Sequence, residues 1–345
     1  MITKNRPYNI LVTGGSGFIG SNFVRHVIQT QPQYQVVNLD LLTYAGNPQN
    51  LRDIERSPRY KFVHGDICNR PALDRLFKNN GFSTVVHFAA ETHVDRSIIN
   101  VSDFIRTNVE GTRTIIEAVR DFRTPRFIHI STDEIYGDVA RGRSTERSPI
   151  RPSNPYSASK AAADVLVQSF IRTHKIPAII VRGSNNYGPF QYPEKLIPLA
   201  ITNLLASRKI PVHGAGTHVR SWLHVQDFCN AIELIMQRAP LFATYNVSGE
   251  EKTNLQILTM IAEHLGKNIN EYKQHINDRP GADIRYAIAS QKLKKELNWR
   301  PRYTLKSSMR NVINWYQTNK EWWQAIKRQK EFLGHYQKQS RGQWF

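Results

Sequence analysis

Nothing in the 345 residues restricts the fold more than the turn Thr13-Gly14-Gly15-Ser16-Gly17-Phe18-Ile19-Gly20. A short apolar strand pattern at 8–12 precedes it, and Phe18, Ile19, Phe23, Val24 and Val27 follow at helical spacing. Glycines at 14, 17 and 20 let the backbone turn sharply, approach a pyrophosphate and seat a helix tightly on a sheet. The helix that starts there points its unpaired amides at phosphate. A second strand pattern at 36–39 ends in Asp40, 20 residues beyond Gly20. A carboxylate at that distance bonds ribose hydroxyls and repels a 2′-phosphate, so the expected cofactor is NAD rather than NADP.

The pattern then repeats. Residues 61–64 lead into Gly65-Asp66-Ile67, 84–88 into Ala89-Ala90, and 126–130 into Ser131-Thr132, with a further strand at 178–181. Helical patterns at 103–122 and 156–174 fall between them. Such alternation predicts an α/β fold with a Rossmann-like, doubly wound parallel sheet, whose ligands sit beyond the carboxyl ends of the strands. After residue 181 prolines and glycines crowd in, and helices are expected at 194–207, 254–265 and 306–318, with a return to the first domain near 225–236. We read a cofactor domain over 1–186 plus about 222–246, a smaller discontinuous α/β domain over 187–221 plus about 247–335, and a flexible tail over 336–345.

Chemistry concentrates between Ser131 and Lys160. Ser131-Thr132-Asp133-Glu134 follows an apolar strand, and Tyr156 and Lys160 are spaced to share one helix face. An ammonium beside a phenol favours the phenolate, so the pair is expected to move a proton with a lowered tyrosine pKa. Two adjacent carboxyls in unlike surroundings can supply one acid and one base.

The formal charge of +19 raises the question of nucleic acid, but much of it is local. Residues 291–345 carry thirteen Lys and Arg against three Asp and Glu, in a pattern that includes Trp315, Tyr316, Trp322 and Trp323. That reads as a solvated helix face and a basic tail, with attraction of an anionic substrate as the next account; no nucleic-acid partner is expected. No apolar run approaches the ~20 residues that cross a bilayer, the amino terminus lacks a signal-peptide core, and Cys68 and Cys229 match no metal or disulfide spacing. A cytoplasmic protein without membrane or metal is the expectation.

Taken together, T-G-G-S-G-F-I-G-S from Thr13, L-D-L-L-T-Y-A-G-N from Leu39, H-G-D-I-C from His64, F-A-A-E-T-H-V-D-R-S from Phe88, T-N-V-E-G-T from Thr107, the Tyr156/Lys160 pair, S-N-N-Y-G-P-F-Q-Y-P-E-K-L-I-P from Ser184 and D-R-P-G-A-D-I-R-Y-A from Asp278 resemble the extended short-chain dehydrogenase/reductase superfamily. Within it they resemble the nucleotide-sugar 4,6-dehydratases, above all those acting on dTDP-glucose. Thr132-Asp133-Glu134 is the most specific part of this match, because related epimerases share the glycine turn and the Tyr-Lys pair but generally lack the two acids.

The resemblance implies catalytic roles for Thr132, Asp133, Glu134, Tyr156 and Lys160. It implies cofactor contacts by Gly14, Gly17, Phe18, Ile19, Gly20, Asp40, Leu41, Thr43, Gly46, Asp66, Ile67, Ala89, Ala90, Thr92 and Thr107, besides Tyr156 and Lys160. Substrate contacts are implied for Thr132, Asn185, Glu194, Lys195, Leu196, Pro211, His213, Arg220, Asn254 and Arg279. It also implies a homodimer through a four-helix bundle built from the 103–122 and Tyr156 helices. Three positions depart from the family pattern: His213 stands where Tyr is usual, Ala282 where His is usual and Ser221 where Asp is usual. The first two leave open UDP-glucose or another nucleoside-diphosphate hexose. An epimerase, a non-catalytic dinucleotide sensor and a basic nucleic-acid binder are the other readings that the residues alone leave standing.

Overall fold

The computed structural model describes residues 8–342. Its centre is a seven-stranded, wholly parallel sheet formed by β1 (Tyr8–Thr13), β2 (Tyr34–Asp40), β3 (Tyr60–His64), β4 (Thr84–His87), β5 (Phe127–Thr132), β6 (Ala178–Gly183) and, later in the chain, a strand at Thr244–Val247. Between β6 and that last strand come β7 (Asn185–Tyr187), β8 (Ile210–His213) and β9 (Val219–His224), which makes Thr244–Val247 β10. The spatial order is β10-β6-β5-β4-β1-β2-β3, so the winding reverses between β1 and β4. Crossovers leave that point in opposite directions, which opens a crevice at the carboxyl ends of β1 and β4.

Helices cover both faces. They run in the order α1 (Phe18–Thr30), α2 (Arg70–Asn80), α3 (Val94–Ile99), α4 (Ser102–Phe104), α5 (Thr112–Asp121), α6 (Pro155–His174), α7 (Leu196–Leu205) and α8 (Val225–Arg238). One layer joins α1 and α8 to the sheet through Phe23, Val24, Val27, Phe228 and Ile232, all essentially buried. The other joins α2, α5 and α6 through Leu73, Phe77, Ile115, Val119 and Val167. Each such side chain contributes about 1.5–3 kcal/mol by leaving water, so both faces are anchored many times over.

The expected single helix over 103–122 is instead α4 and α5 joined by a π-helical stretch, Ile105–Gly111. Its wider turn carries Thr107 to the cleft and seats Gly111 against Ile67, where a Cβ would collide with the isoleucine side chain.

The remaining elements are β11 (Glu250–Thr253), α9 (Asn254–His264), α10 (Ile269–Tyr272), β12 (Lys273–Ile276), α11 (Gln291–Leu297), α12 (Leu305–Thr318), α13 (Lys320–Lys327) and α14 (Lys330–Arg341). Strand β9 pairs with β7 and β11, and β8 pairs with β12. A separate core of Ile197, Ile201, Trp222, Leu258, Met309 and Tyr316 binds α7, α9 and α12 to these small sheets. The chain end corrects the expectation of a loose tail. Helix α14 holds 336–341, with His335 and Gln339 buried, because Phe332 and Tyr336 pack on Tyr192 and its neighbours. Residues 343–345 lie outside the described part. Among the described residues no helix is long and apolar enough to cross a membrane.

Candidate active site

One cleft of about 280 Å³ follows the carboxyl edge of the sheet from the winding reversal to β6. Its first half is built from consecutive strand ends. Gly14, Gly17, Phe18, Ile19 and Gly20 come from the β1 turn, Asp40, Leu41, Thr43 and Gly46 from the loop after β2, Asp66 and Ile67 from that after β3, and Ala89, Ala90 and Thr92 from that after β4. Gly14 has φ +70°, and a Cβ there would meet the Ala89 nitrogen at 2.6 Å. A side chain at Gly20 would run into the Gly14 carbonyl. The Asp40 carboxylate accepts 2.8 Å hydrogen bonds from the Ser16 and Leu42 amides, which fixes it at the cleft wall. Burial raises its pKa, and those two amides oppose the rise. Backbone open to phosphate, a helix N-terminus and a held carboxylate make a cradle that fits a dinucleotide.

The second half holds Thr132, Asp133, Glu134, Tyr156 and Lys160. β5 ends at Thr132, whose hydroxyl accepts from the Glu134 amide at 3.3 Å and caps the one-turn helix Asp133–Tyr136. On α6, Asn154 and Ser157 form a capping box with Pro155 at the first turn, so the helix starts just before Tyr156. Beneath both, Arg182 of β6 makes a two-pronged pair with Asp164 of α6 at 2.8 and 2.9 Å and donates to the Tyr136 hydroxyl at 2.6 Å. That buried network locks the acidic turn and the tyrosine helix onto one sheet edge.

The two acids differ. Burial, then the neighbouring Glu134, pushes Asp133 up to about 8, so it keeps its proton at neutral pH. Burial also raises Glu134, but Arg220, Lys195 and Arg279 pull it back towards the carboxylate. Tyr156 departs from expectation. Burial, then Glu134 and Asp133, raises its pKa, and the Thr132 hydroxyl opposes the rise. Lys160 does not lower it, because the ammonium donates at 2.7 Å to the Ile130 carbonyl while burial brings its own pKa down to about 8.

Of the substrate residues expected from the sequence, Thr132, Asn185, Glu194 and Lys195 line the cleft. Leu196 and Asn254 open α7 and α9, Pro211 and His213 lie in β8, and with Arg220 and Arg279 they stand outside its lining. Arg279 pairs with buried Asp95 and reaches His213 Nε2 at 3.3 Å, while burial brings His213 down to about 4. Ser221 accepts from the Gly249 amide at 3.0 Å and fastens the β9–β11 connection, and Ala282 lies half-buried in the loop after Arg279.

Several contributors gave no local signal in the sequence. Glu91, on the cleft wall, is raised to about 7 by burial. Arg96 covers the Tyr44 ring at 3.7 Å and holds Glu194 at 3.1 Å. His335 of α14 meets His93 edge-on at 4.7 Å, and Gln339 donates to Asp95 at 2.9 Å. His93, Glu194 and His335 converge closely enough to suggest a metal, but the Arg96 guanidinium and Lys195 already face that carboxylate. Tyr286, whose hydroxyl stands 3.3 Å from Glu134, was also missed. Only its place in the D-I-R-Y-A stretch could have drawn notice.

Residues 11–312 match the family model described as GDP-mannose 4,6 dehydratase. The chain belongs to the nucleotide-sugar 4,6-dehydratase family. It is 44% identical over 330 residues to the dTDP-glucose 4,6-dehydratase of Streptomyces niveus, covering 94% of this chain and 97% of that one. The dTDP-glucose 4,6-dehydratase of Bacillus anthracis, solved in complex with NAD, superposes with a TM-score of 0.87 at 42% identity, covering 93% of this chain and all of the other. The Streptomyces venezuelae dTDP-glucose 4,6-dehydratase, solved with NAD bound, gives 0.90 at 41% identity over 92% of this chain and all of the other. For a 4,6-dehydratase the contrast between Asp133 and Glu134 is the pertinent feature, since elimination of water needs one proton donor and one acceptor side by side.

Proposed function

We propose that this protein is an NAD-dependent dTDP-glucose 4,6-dehydratase that forms dTDP-4-keto-6-deoxyglucose and water. The observation carrying this reading is the pair of adjacent acids beside Tyr156: burial keeps Asp133 protonated, while Arg220, Lys195 and Arg279 face Glu134 and oppose the rise that burial imposes on it. The glycine turn, Asp40 and the strand-end residues named above would hold the dinucleotide. When bound, that cofactor takes a hydride from carbon 4 and gives one back at carbon 6. Tyr156 would take the proton of the carbon-4 hydroxyl as its phenolate, the form that the positive charge of the bound cofactor's nicotinamide would favour against the burial that raises its pKa, and Thr132 would hydrogen-bond the same oxygen. Lys160, whose ammonium donates to the Ile130 carbonyl, would help hold the cofactor. The ketone at carbon 4 acidifies carbon 5, where Glu134 removes the proton. Asp133 gives its proton to the hydroxyl leaving carbon 6. Asn185, Glu194 and Lys195 would hold the sugar and its phosphates. Leu196, Pro211, His213, Arg220, Asn254 and Arg279 would hold the nucleotide.

The thymine nucleotide is favoured by the relatives' shared name. We assign 1–186 plus about 222–246 to cofactor binding and 187–221 plus about 247–335 to the sugar nucleotide, in a cytoplasmic homodimer. Large apolar side chains left exposed on the helices, Ile105 at 46% and Val165 at 51%, support a helix-to-helix interface between copies. Incubation with dTDP-glucose, UDP-glucose and UDP-N-acetylglucosamine, read by mass spectrometry, tests the proposal. Loss of one water from the first without accumulation of reduced cofactor is expected. A product of unchanged mass points to epimerisation and overturns it.

A further inference from the structure

The reaction proposed above leaves a proton on Glu134, half-buried in the cleft wall. What faces that carboxyl matters. Arg220, Lys195 and Arg279 supply positive charge, while Asp133 and Tyr156 adjoin it on the cleft side and Asp283 lies beyond it. Between Glu134 and Asp283 stands the Tyr286 hydroxyl, 3.3 Å from Glu134 Oε2 and 2.6 Å from Asp283 Oδ2. Arg220 lies over the Tyr286 ring at 4.3 Å and donates to the Asp283 carbonyl at 2.9 Å, so the phenol has little freedom to swing away. Ser153, which is exposed, donates to that same Asp283 oxygen.

A phenol has one hydrogen, so Tyr286 cannot donate to both carboxylates at once. When Glu134 is ionised the hydroxyl can donate to it, and Asp283 keeps its bond from Ser153. When Glu134 is protonated it donates to the phenol oxygen, and Tyr286 donates to Asp283. The two arrangements differ by the proton on Glu134 and by the direction of the Tyr286 O–H bond, and the groups lie on a line from a half-buried base to an exposed serine.

We infer that Tyr286, Asp283 and Ser153 form a proton outlet through which Glu134 exchanges the carbon-5 hydrogen with solvent. In the outward step the O–H bond of Glu134 breaks as one forms on the Tyr286 oxygen, whose own proton forms an O–H bond on Asp283. Glu134 is restored as a carboxylate, Asp283 holds the proton, and water beside Ser153 removes it. No electrons change hands. The inward step runs in reverse when carbon 5 regains a hydrogen. Tyr286 acts through Glu134 and is a positioning and relay residue.

The inference rests on the dehydratase reading and is tested by turnover of dTDP-glucose in D2O. The wild-type product should carry deuterium at carbon 5. Tyr286→Phe preserves the ring against Arg220, so it should still oxidise carbon 4 but return the substrate's own hydrogen to carbon 5, losing most of the label. Asp283→Asn should lose label in the same way, and a merely structural defect would slow turnover without changing which hydrogen carbon 5 receives. Full label at carbon 5 in Tyr286→Phe overturns the outlet, as does a wild-type product that retains its own hydrogen. Failure of the wild type to release water overturns the dehydratase reading itself.

Discussion

The two halves of the cleft are made in different ways. The dinucleotide half takes its walls from successive strand ends on either side of one winding reversal, and apart from Thr107 its contributing segments lie directly after their strands. The other half collects Glu134 from the turn after β5, Glu194 and Lys195 from the approach to α7, and, against Glu134, Tyr286 from a loop some ninety residues further on. One is a local consequence of strand-turn-helix geometry. The other depends on folding distant segments against each other, and its charges are set by burial rather than by residue type.

If that contrast holds, a backbone change in the first half should abolish binding. Gly14→Val places a side chain on the Ala89 backbone at a positive φ, which costs about 3 kcal/mol or more. Titration should show no dinucleotide binding, and near-normal affinity in a folded variant would break the comparison. The next effect falls on chemistry alone. Glu134→Gln should permit carbon-4 oxidation while slowing water loss by about 10²–10⁴-fold, and full dehydration in that variant would remove Glu134 from the role of base.

The pH dependence is a third test. Asp133 gives a proton only while it holds one, so the rate should fall as pH rises through about 8, with the alkaline limb lost in Asp133→Asn. The same group also bears on stability. Its folded pKa lies above the ordinary aspartate value, so its contribution is present at low pH and lost as pH rises through about 8.

A smaller effect is expected at the chain end. Gln339→Ala leaves buried Asp95 short of one donor and should cost about 1–2 kcal/mol by denaturant titration, raising KM for the sugar nucleotide without weakening the dinucleotide. The least should come from Arg106→Ala, whose pair with Asp66 stands half in water. A change within about 1 kcal/mol is expected by the same titration.

The sequence was most readable where rules are local. Strand-glycine turn-helix spacing already implied the parallel sheet, the place of Asp40 and the clustering of strand ends, because the alternation admits few other topologies. Thr132-Asp133-Glu134 and the Tyr156/Lys160 spacing were readable as chemistry for the same reason. Residue type alone could not divide the two acids. Asp133 and Glu134 differ by one methylene in the chain, and only the cations brought by β9, the α7 approach and the Arg279 loop set their surroundings apart. Nor could helix spacing reveal that Lys160 would turn to the Ile130 carbonyl instead of the phenol.

The carboxyl-terminal helix is the clearest case. Its place at the chain end suggested a loose tail over 336–345, yet Phe332, His335, Tyr336 and Gln339 turn inward on partners that lie far away in sequence. What the sequence determined by itself was the strand-end cradle and which acidic, phenolic and ammonium groups stand near one another, since those follow from backbone geometry within a few residues. Which carrier holds its proton, where the lysine points and what closes the sugar side were decided by tertiary structure. Burial and charge there come from segments that meet only in the folded molecule.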